Sequence, residues 1–437
     1  MGARETALNV LIACRTAGGW SNGVLKEYVA RDRLDGRDSA LATRLCYGVV
    51  QNRSLLDFYL KQLLTGRIKD LHPVIHDILH LGLYQLYLMD KIPQSAAVNE
   101  SVELAKKYCR KQKNAAGLVN AVLRNAVRSK DTLKEPVSWE DKYSHPGELI
   151  NLLKSYVGKE RLEPMLRENN AIAPMTVQVN TLKISANDLQ KRLAEENVTA
   201  ENHSWLSDCL VLSGTGDLEK LPSFQEGLFY VQDAAAKLSV LCADLQPGQN
   251  VLDCCAAPGG KSFAAAIQMN GEGSVTSCDV HAHKIDLIAK GAERLGLEII
   301  AQRQQDATVF CPNWREQFDT VIADVPCSGL GIIRKKPDIR YKALYSLAEL
   351  PGLQMKILDN VSRYVKPGGL LLYSTCTLVQ EENEGMVEAF LRTHPDFTTE
   401  PLPLPVPCPE NKSGMLALVP GEYDTDGFFI CRLRRKL

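Results

Sequence analysis

Two cysteines stand where a thiol could do chemistry. Cys327 lies in Asp324-Val325-Pro326-Cys327-Ser328-Gly329, after the apolar run Thr320–Asp324, and Cys376 lies in Ser374-Thr375-Cys376-Thr377, after the run Gly369–Ser374. If those runs are neighbouring strands of one sheet, both thiols fall at the same end of it, with the Asp324 carboxyl group beside them. A thiolate is a strong nucleophile whose availability follows its pKa and exposure, and covalent addition by such a group can split one difficult step into two easier ones. A single cysteine is more often a small buried hydrophobe. What else the chain places nearby therefore decides the matter.

A third run, Val251-Leu252-Asp253-Cys254-Cys255-Ala256-Ala257-Pro258-Gly259-Gly260-Lys261, leaves an apolar strand, turns through Pro258-Gly259-Gly260 and enters a helix. Glycines at such a turn let a ligand approach the backbone closely. The run matches neither G-x-G-x-x-G nor G-x-x-x-x-G-K-[ST], so it implies neither a pyrophosphate nor a nucleoside triphosphate. Acids follow in series. Asp279 ends the next strand, twenty residues after Gly259, which is the spacing at which a carboxylate meets ribose hydroxyls in doubly wound nucleotide sites. Asp306 follows the third strand and Asp324 ends the fourth. Carboxylates at the C-terminal ends of adjacent parallel strands converge on the crevice where these sheets bind ligands. An adenosyl group with free ribose hydroxyls and no phosphate fits, as in S-adenosylmethionine, held by residues 255–261 with Asp279, Asp306 and Asp324.

One reaction needs this combination. Carbon 5 of cytosine is too weak a nucleophile to accept a sulfonium methyl group unaided, but a thiolate added to carbon 6 makes carbon 5 enamine-like. Such chemistry calls for a thiol, a base and a carboxyl group near N3 of the ring. Cys376, Cys327 and Asp324 supply those residue types, without saying which thiol attacks, and none of the spacings calls for a metal.

The elements that would hold these residues are legible in outline. Past residue 249, the strand-like runs Asn250–Asp253, Ser274–Asp279, Ile299–Gln304, Thr320–Asp324 and Gly369–Ser374 alternate with helical stretches Lys261–Met269, His281–Leu295 and Leu344–Tyr364. That alternation predicts a mostly parallel sheet covered on both faces. Residues 146–240 read as a small α+β module, with helices at Glu148–Val157, before Asn169 and at Asp188–Glu196, and strands at Met175–Val179, Cys209–Leu212 and Leu228–Gln232. Residues 1–130 show helical periodicity, as in Val74, Ile78, Leu81 and Tyr84, with almost no period-2 alternation. The stretch 129–145 loses periodicity and reads as a linker, and the proline-rich stretch 401–409 as a loop. The expected division is a helical domain at 1–130, the α+β module at 146–240 and a catalytic α/β domain at 241–437.

Composition limits the alternatives. A chain of 437 residues with 45% hydrophobic and 24% charged residues is an ordinary globular protein of two or three folded units. No long uncharged apolar segment predicts a membrane span. Thirteen cysteines without a C-x-x-C pair point to a reducing cytoplasm and to a chain without a zinc or redox motif. The net charge of −1 conceals an asymmetry, since residues 1–145 hold 22 Lys and Arg against 15 Asp and Glu. Lys106, Lys107, Arg110 and Lys111 belong to a basic cluster opposed by only Glu103 between 103 and 130, a phosphate-binding footprint if it lies on one face.

Cys255–Lys261, Asp324–Gly329 and Thr375-Cys376-Thr377 together resemble the cofactor loop and the two cysteine motifs of the Sun/Fmu family of RNA cytosine-C5 methyltransferases. Ala97–Lys106 and Val119–Arg124 are similar to the NusB-like RNA-binding domain of bacterial members that act on cytosine 967 of 16S ribosomal RNA. The resemblance covers nearly the whole chain. It implies an all-α NusB-like domain, a small α+β linker module and a Rossmann-like methyltransferase domain using S-adenosylmethionine, acting as a cytoplasmic monomer on 16S ribosomal RNA. It implies Cys376 as nucleophile, Cys327 as the thiol that assists release of product, and Asp279, Asp306 and Asp324 as the acids that contact the cofactor. It places Gln232-Asp233 in a turn before the catalytic sheet, and a basic loop of Arg334, Lys335, Lys336 and Arg340 on the RNA backbone. The same chemistry on another RNA such as tRNA, or a non-catalytic ribosomal-RNA assembly factor, are the competing readings, and the two cysteines with Asp324 count against the second. The chain departs from the family at Cys254 and Val325, where an aliphatic residue and alanine are more usual, and in Glu422–Phe429, which lacks a histidine common there.

Overall fold

The computed structural model of the chain describes residues 1–16, 22–404 and 413–437, so most of the expected loop at 401–409 lies outside the described residues. Two compact units are present, one made of Met1–Leu152 with Lys336–Lys342, the other of Leu153–Lys335 with Ala343–Leu437. Among the described residues no helix is long and apolar enough to cross a membrane.

The first unit is helical: α1 (Ala3–Thr16), α2 (Asn22–Arg31), α3 (Gly36–Gln51), α4 (Arg53–Leu63), α5 (Pro73–Leu88), α6 (Gln94–Tyr108), α7 (Ala115–Ser129) and a short α8 (Trp139–Tyr143). In α7 the buried residues Ala115, Val119, Val122, Leu123 and Ala126 form one stripe at helical spacing, which is what makes this segment a core-facing helix. Periodicity predicted a single apolar face for α5, but it is buried almost all round from Ile75 to Leu86 because α1, α3, α4, α6 and α7 pack on it. A helix apolar on every side is a central one. Pro73 starts α5 where no intrahelical N–H is needed, and the His72 ring accepts the Val74 N–H at 3.3 Å. The segment read as a linker is partly built in. Ser138 caps α8, and Tyr143, Ser144 and His145 are buried.

Helix α9 (Gly147–Glu168) runs from the first unit's span into the second's and is broken at Gly158, where φ is 77°. A four-stranded antiparallel sheet follows, ordered β2-β3-β1-β4, from β1 (Met175–Val179), β2 (Thr199–Asn202), β3 (Cys209–Ser213) and β4 (Phe229–Val231). Helix α10 (Ala186–Glu195) lays Leu189 and Leu193 against Val177, Val179, Leu210 and Phe229 of this sheet. Strand β2 has no counterpart in the sequence reading, because Thr-Ala-Glu-Asn is an exposed edge with no apolar pattern to betray it. Two helices, α11 (Pro222–Gln225) and α12 (Ala234–Leu241), flank β4.

The larger sheet has eight strands: β5 (Asn250–Asp253), β6 (Ser274–Asp279), β7 (Ile300–Gln304), β8 (Phe318–Asp324), β9 (Val365–Thr375), β10 (Phe397–Thr399), β11 (Met415–Leu418) and β12 (Phe428–Arg435). The path is β10-β12-β9-β8-β5-β6-β7, with β11 also pairing β12. Strands β5 to β9 are mutually parallel where they pair, and β12 runs antiparallel to β9. Side chains alternate between two cores. Val251, Ile322, Leu370 and Leu372 face the layer of α13 (Gly260–Gln268) and α14 (Ala282–Leu295), while Leu252, Val321, Leu371 and Tyr373 face α15 (Leu350–Val361) and α16 (Glu384–Thr393). Since the strands after β5 lead one way to β6 and the other way to β8, the sheet's switch point lies between β5 and β8, where ligands of such folds bind.

Candidate active site

At the end of β5 the chain turns through 254–259 into α13. Gly259 has φ +114°, and a Cβ there would lie 2.4 Å from the Phe263 ring, so both backbone and space require glycine. A Cβ on Gly260 would sit 3.0 Å from Gln232 Nε2, which places the Gln232-Asp233 turn directly against the start of α13. Asp233 caps α12 by accepting the Ala235 N–H at 2.9 Å. Beneath the turn Asp253 is fully buried, and its Oδ2 accepts the Ser262 hydroxyl at 2.7 Å; Ser262 Oγ in turn accepts from Ser277 Oγ at 2.7 Å. The sequence reading missed this acid.

Burial pushes the Asp253 carboxyl up to about 7, against the weaker pull of Ser262 and Lys261. Its folded value therefore lies above that of an unfolded aspartate, near ~3.9. Its contribution to stability is complete below that pH and is lost as pH rises through the folded value. Asp253→Asn is expected to flatten this decline, so that denaturant unfolding at pH 5 and pH 8 differs less in the variant than in the parent.

The acids of the series have distinct surroundings. Asp279, at the end of β6, is nearly buried; it accepts the His281 N–H at the start of α14 at 3.0 Å and lies 3.6 Å from Lys284 Nζ. Asp306 is exposed and closes a local turn, with Oδ1 accepting the N–H and the hydroxyl of Thr308 at 2.8 and 2.7 Å. Asp324 is held on both oxygens, by Lys261 Nζ at 2.6 Å and Ser374 Oγ at 2.9 Å. Burial works against the Lys261 ammonium, but the Asp324 carboxylate outweighs it and the lysine's pKa rises. Lys261, expected among the cofactor residues, thus spends its charge on Asp324.

Strands β8 and β9 pair with Asp324 opposite Ser374, and this register brings the two cysteine loops together. Cys327 Sγ and Cys376 Sγ lie 3.1 Å apart, and the Cys376 N–H points to Cys327 Sγ at 3.3 Å. The hydrogen bond with Cys376, then burial, then the charges of Asp324 and Glu382 push the Cys327 thiol well above its ordinary value. The loop after Cys327 is pinned to the C-terminal motif. Gly331 N–H donates to Cys376 O, and Gly427 N–H to Gly331 O, while a Cβ on Gly427 would lie 2.6 Å from Gly331 Cα.

The expected basic loop on RNA needs correction. Arg334 is 4% exposed and bonds Glu168 and Asp426, so it is an internal ion pair rather than a phosphate contact. Arg340 is 1% exposed and belongs to the first unit, where its Nη1 donates to the carbonyls of Gln51, Tyr143 and Ser144. Lys335 is paired with Asp233 and Asp426, both at 2.6 Å, and only Lys336 is exposed. The segment around Pro337 is buried because it packs against α3, which the cations around it disguise in the sequence. In the helical unit Lys106 pairs with Glu103 at 2.7 Å and Lys107 with Glu5; Arg110 and Lys111 are exposed. Lys106, Lys107 and Arg110 line a surface cavity of about 520 Å³ that also holds Glu5, Asp38, Glu100 and Glu103, so its charge is mixed.

Among the described residues one group has the donor types for a metal, Asp57 with His76 and His80. Both Nε2 atoms lie on Asp57 Oδ1, at 2.6 and 2.8 Å, so hydrogen bonds between α4 and α5 already engage all three side chains.

Three family models match the chain. A model described as 16S rRNA methyltransferase RsmB/F matches residues 240–434, the NusB family model matches 1–128, and a model of the RsmF/B-like ferredoxin-like domain matches 145–219. The chain is 37% identical over 445 residues to the probable ribosomal RNA small subunit methyltransferase B of Bacillus subtilis (strain 168), covering 99% of this chain and 98% of that protein. It is 35% identical to the ribosomal RNA small subunit methyltransferase B of Vibrio cholerae, covering 93% and 92%. The crystal structure of PH0851 superposes with a TM-score of 0.81 at 25% identity, covering 99% of each chain.

Proposed function

From the premise that this chain belongs to the RsmB/F family of 16S rRNA methyltransferases, we propose that it methylates carbon 5 of a cytosine in 16S ribosomal RNA, of the cytosine-967 type, through a covalent cysteine adduct at carbon 6. The observation that carries this reading is the pair of thiols 3.1 Å apart beside an Asp324 carboxylate that is itself bound by Lys261. On this reading residues 1–130 bind RNA, 146–240 form the α+β module and 241–437 catalyse, in a monomer working in the cytoplasm.

S-adenosylmethionine supplies the methyl group as an electrophilic sulfonium. The residues present suit it. The turn at 255–260 brings bare backbone to the switch point, Asp279 offers an acceptor for ribose hydroxyls, and Asp306 lies at the same edge of the sheet. Cys376 adds as thiolate to carbon 6, and negative charge grows toward N3 of the ring. The Lys261–Asp324 pair holds a proton at that position, where a preorganised charged pair counts for more than in water. Carbon 5, now nucleophilic, takes the methyl group. In the resting protein the hydrogen bond with the Cys376 thiol is the largest reason that Cys327 stays protonated. Once Cys376 is a neutral thioether the hydrogen-bond part of that restraint is gone, while burial and the nearby carboxylates remain, and Cys327, having passed its proton to water, acts as base. Its thiolate takes the carbon-5 proton, the C–H electrons close the C5–C6 double bond, and the C6–S electrons return to Cys376.

Bisulfite sequencing of 16S ribosomal RNA from cells with and without this protein tests the proposal. A cytosine that is protected in the first and converted in the second is the expected result; identical patterns would overturn it. For the helical domain, exposed Arg110 and Lys111 are the better phosphate ligands, because Lys106 and Lys107 already face acids. Arg110→Gln with Lys111→Gln is expected to weaken RNA binding and to lower the slope of log K against log salt by about 0.7 for each phosphate no longer neutralised. A filter-binding salt series reads this directly, and an unchanged slope would return both residues to the solvated surface.

A further inference from the structure

Neither cysteine loop is held by its own strand alone. Just after Cys376, a single turn of chain carries Glu382 and Asn383 back beneath both loops. Glu382 is 1% exposed, and its Oε2 accepts the N–H of Ser328, the residue after Cys327, at 2.9 Å. The same oxygen accepts Gln354 Nε2 at 2.9 Å, and Gln354 Nε2 also donates to the carbonyl of Pro326, the residue before Cys327, at 3.0 Å. Asn383 does for the other loop what Glu382 does for the first. Its Oδ1 accepts the Thr375 hydroxyl at 2.6 Å and its Nδ2 donates to the Thr377 carbonyl at 3.0 Å, so both neighbours of Cys376 are tied to it. Ser328 Oγ and Thr377 Oγ1 close the frame at 2.6 Å, and Tyr373 anchors the Glu382 carbonyl at 2.6 Å.

A buried carboxylate is an expensive way to hold the Cys327 loop, since a neutral acceptor would serve and would avoid removing a charge from water. Here the second oxygen, Oε1, has no hydrogen-bond partner among the described residues. Buried polar atoms are nearly always paired, so what holds this side chain in place is its other oxygen, which fixes the Ser328 N–H and Gln354. We propose that Glu382 is a positioning residue, which with Asn383 and Gln354 sets the separation of the Cys327 and Cys376 sulfurs on which the reaction depends. The proposal rests on the covalent mechanism above for its functional meaning, and on the hydrogen-bond frame alone for its geometry.

The two layers separate experimentally. Diamide oxidises two adjacent thiols to a disulfide, its N=N bond taking up two protons and two electrons. The rate at which Cys327 and Cys376 cross-link in the full-length, RNA-free protein, followed by peptide mass spectrometry, therefore reports their juxtaposition. Glu382→Ala is expected to slow that rate at least tenfold and to lower kcat for RNA methylation with little change in KM, and Glu382→Gln, which keeps an acceptor, to restore most of both. An unchanged cross-linking rate in a folded Glu382→Ala protein would overturn the positioning role. Slower cross-linking with undiminished methylation would instead overturn the dependence of the reaction on that separation and leave the frame intact, while loss of the covalent reading itself would show in the Cys376→Ala and Cys327→Ala variants. If Glu382→Ala does not fold, Gln354→Met removes the tether to Pro326, one bond to Glu382 and the long bond that Gln354 Oε1 accepts from the Tyr373 hydroxyl at 3.4 Å; the same slowing is then expected, and a parent-like rate would overturn the proposal.

Discussion

Cys376→Ala is expected to abolish both methyl transfer and any covalent complex with RNA, whereas Cys327→Ala should leave the protein trapped on its substrate. The sulfurs are 3.1 Å apart, so either could reach a base placed between the loops, and only their roles differ. Without Cys376 no thiolate can add to carbon 6, and carbon 5 stays unreactive. Without Cys327, addition and methyl transfer proceed, but the carbon-5 proton has no adjacent base and the C6–S bond persists. The base must leave its stack to reach either thiol, at a cost of a few kcal/mol met by pocket contacts, so binding should survive in both variants. A denaturing gel with substrate RNA and S-adenosylmethionine reads the difference. A retarded band from Cys376→Ala and none from Cys327→Ala would exchange the two assignments.

Asp324→Asn should have the next largest effect. The substitution keeps the shape of the side chain and its bond to Ser374 but removes the charge that holds Lys261 Nζ at 2.6 Å. Lys261 has a side chain only 10% exposed, so its ammonium would be left nearly buried without its partner. Loss of a positioned proton-transfer group lowers rates by roughly 10²–10⁴, and single-turnover methylation should fall within that range while RNA affinity stays within a fewfold. Breaking a buried pair also leaves one charge uncompensated, at a cost of roughly 3–5 kcal/mol when burial is complete. The partial exposure of Asp324 should reduce that figure. A parent-like methylation rate in the folded variant would remove Asp324 from the mechanism.

Much of this site was legible in the sequence because its signals are local. An apolar run followed by Pro258-Gly259-Gly260, or by Pro326-Cys327, announces a strand and the loop at its end, and parallel strands carry such loops to a common edge. The antiparallel strand β12 was not recognised, although it reads Phe-Phe-Ile-Cys-Arg-Leu-Arg-Arg. The cations in its second half obscure a strand that is buried along most of its length. Asp253 was passed over because nothing in a strand-ending Asp distinguishes a solvated carboxylate from one sealed beneath a turn. Glu382 and Asn383 lie in Gln-Glu-Glu-Asn-Glu, which reads as a solvated acidic segment until the loops above it are in place.

The sequence by itself determined the five parallel strands of the larger sheet, the two cysteines and the acid that lie at their ends, and the helical character of the first domain. These follow from periodicities of two and 3.6 residues and from what glycine and proline permit within a few bonds. The tertiary structure alone decided where charges went. Arg334 meets Asp426, Arg340 meets the carbonyls of Tyr143 and Ser144, Lys335 meets Asp233, and Lys261 meets Asp324, all across long separations in the chain. Whether a cation faces an RNA phosphate or a buried partner depends on which remote acid or carbonyl the fold brings within hydrogen-bond reach, and no local pattern records that encounter.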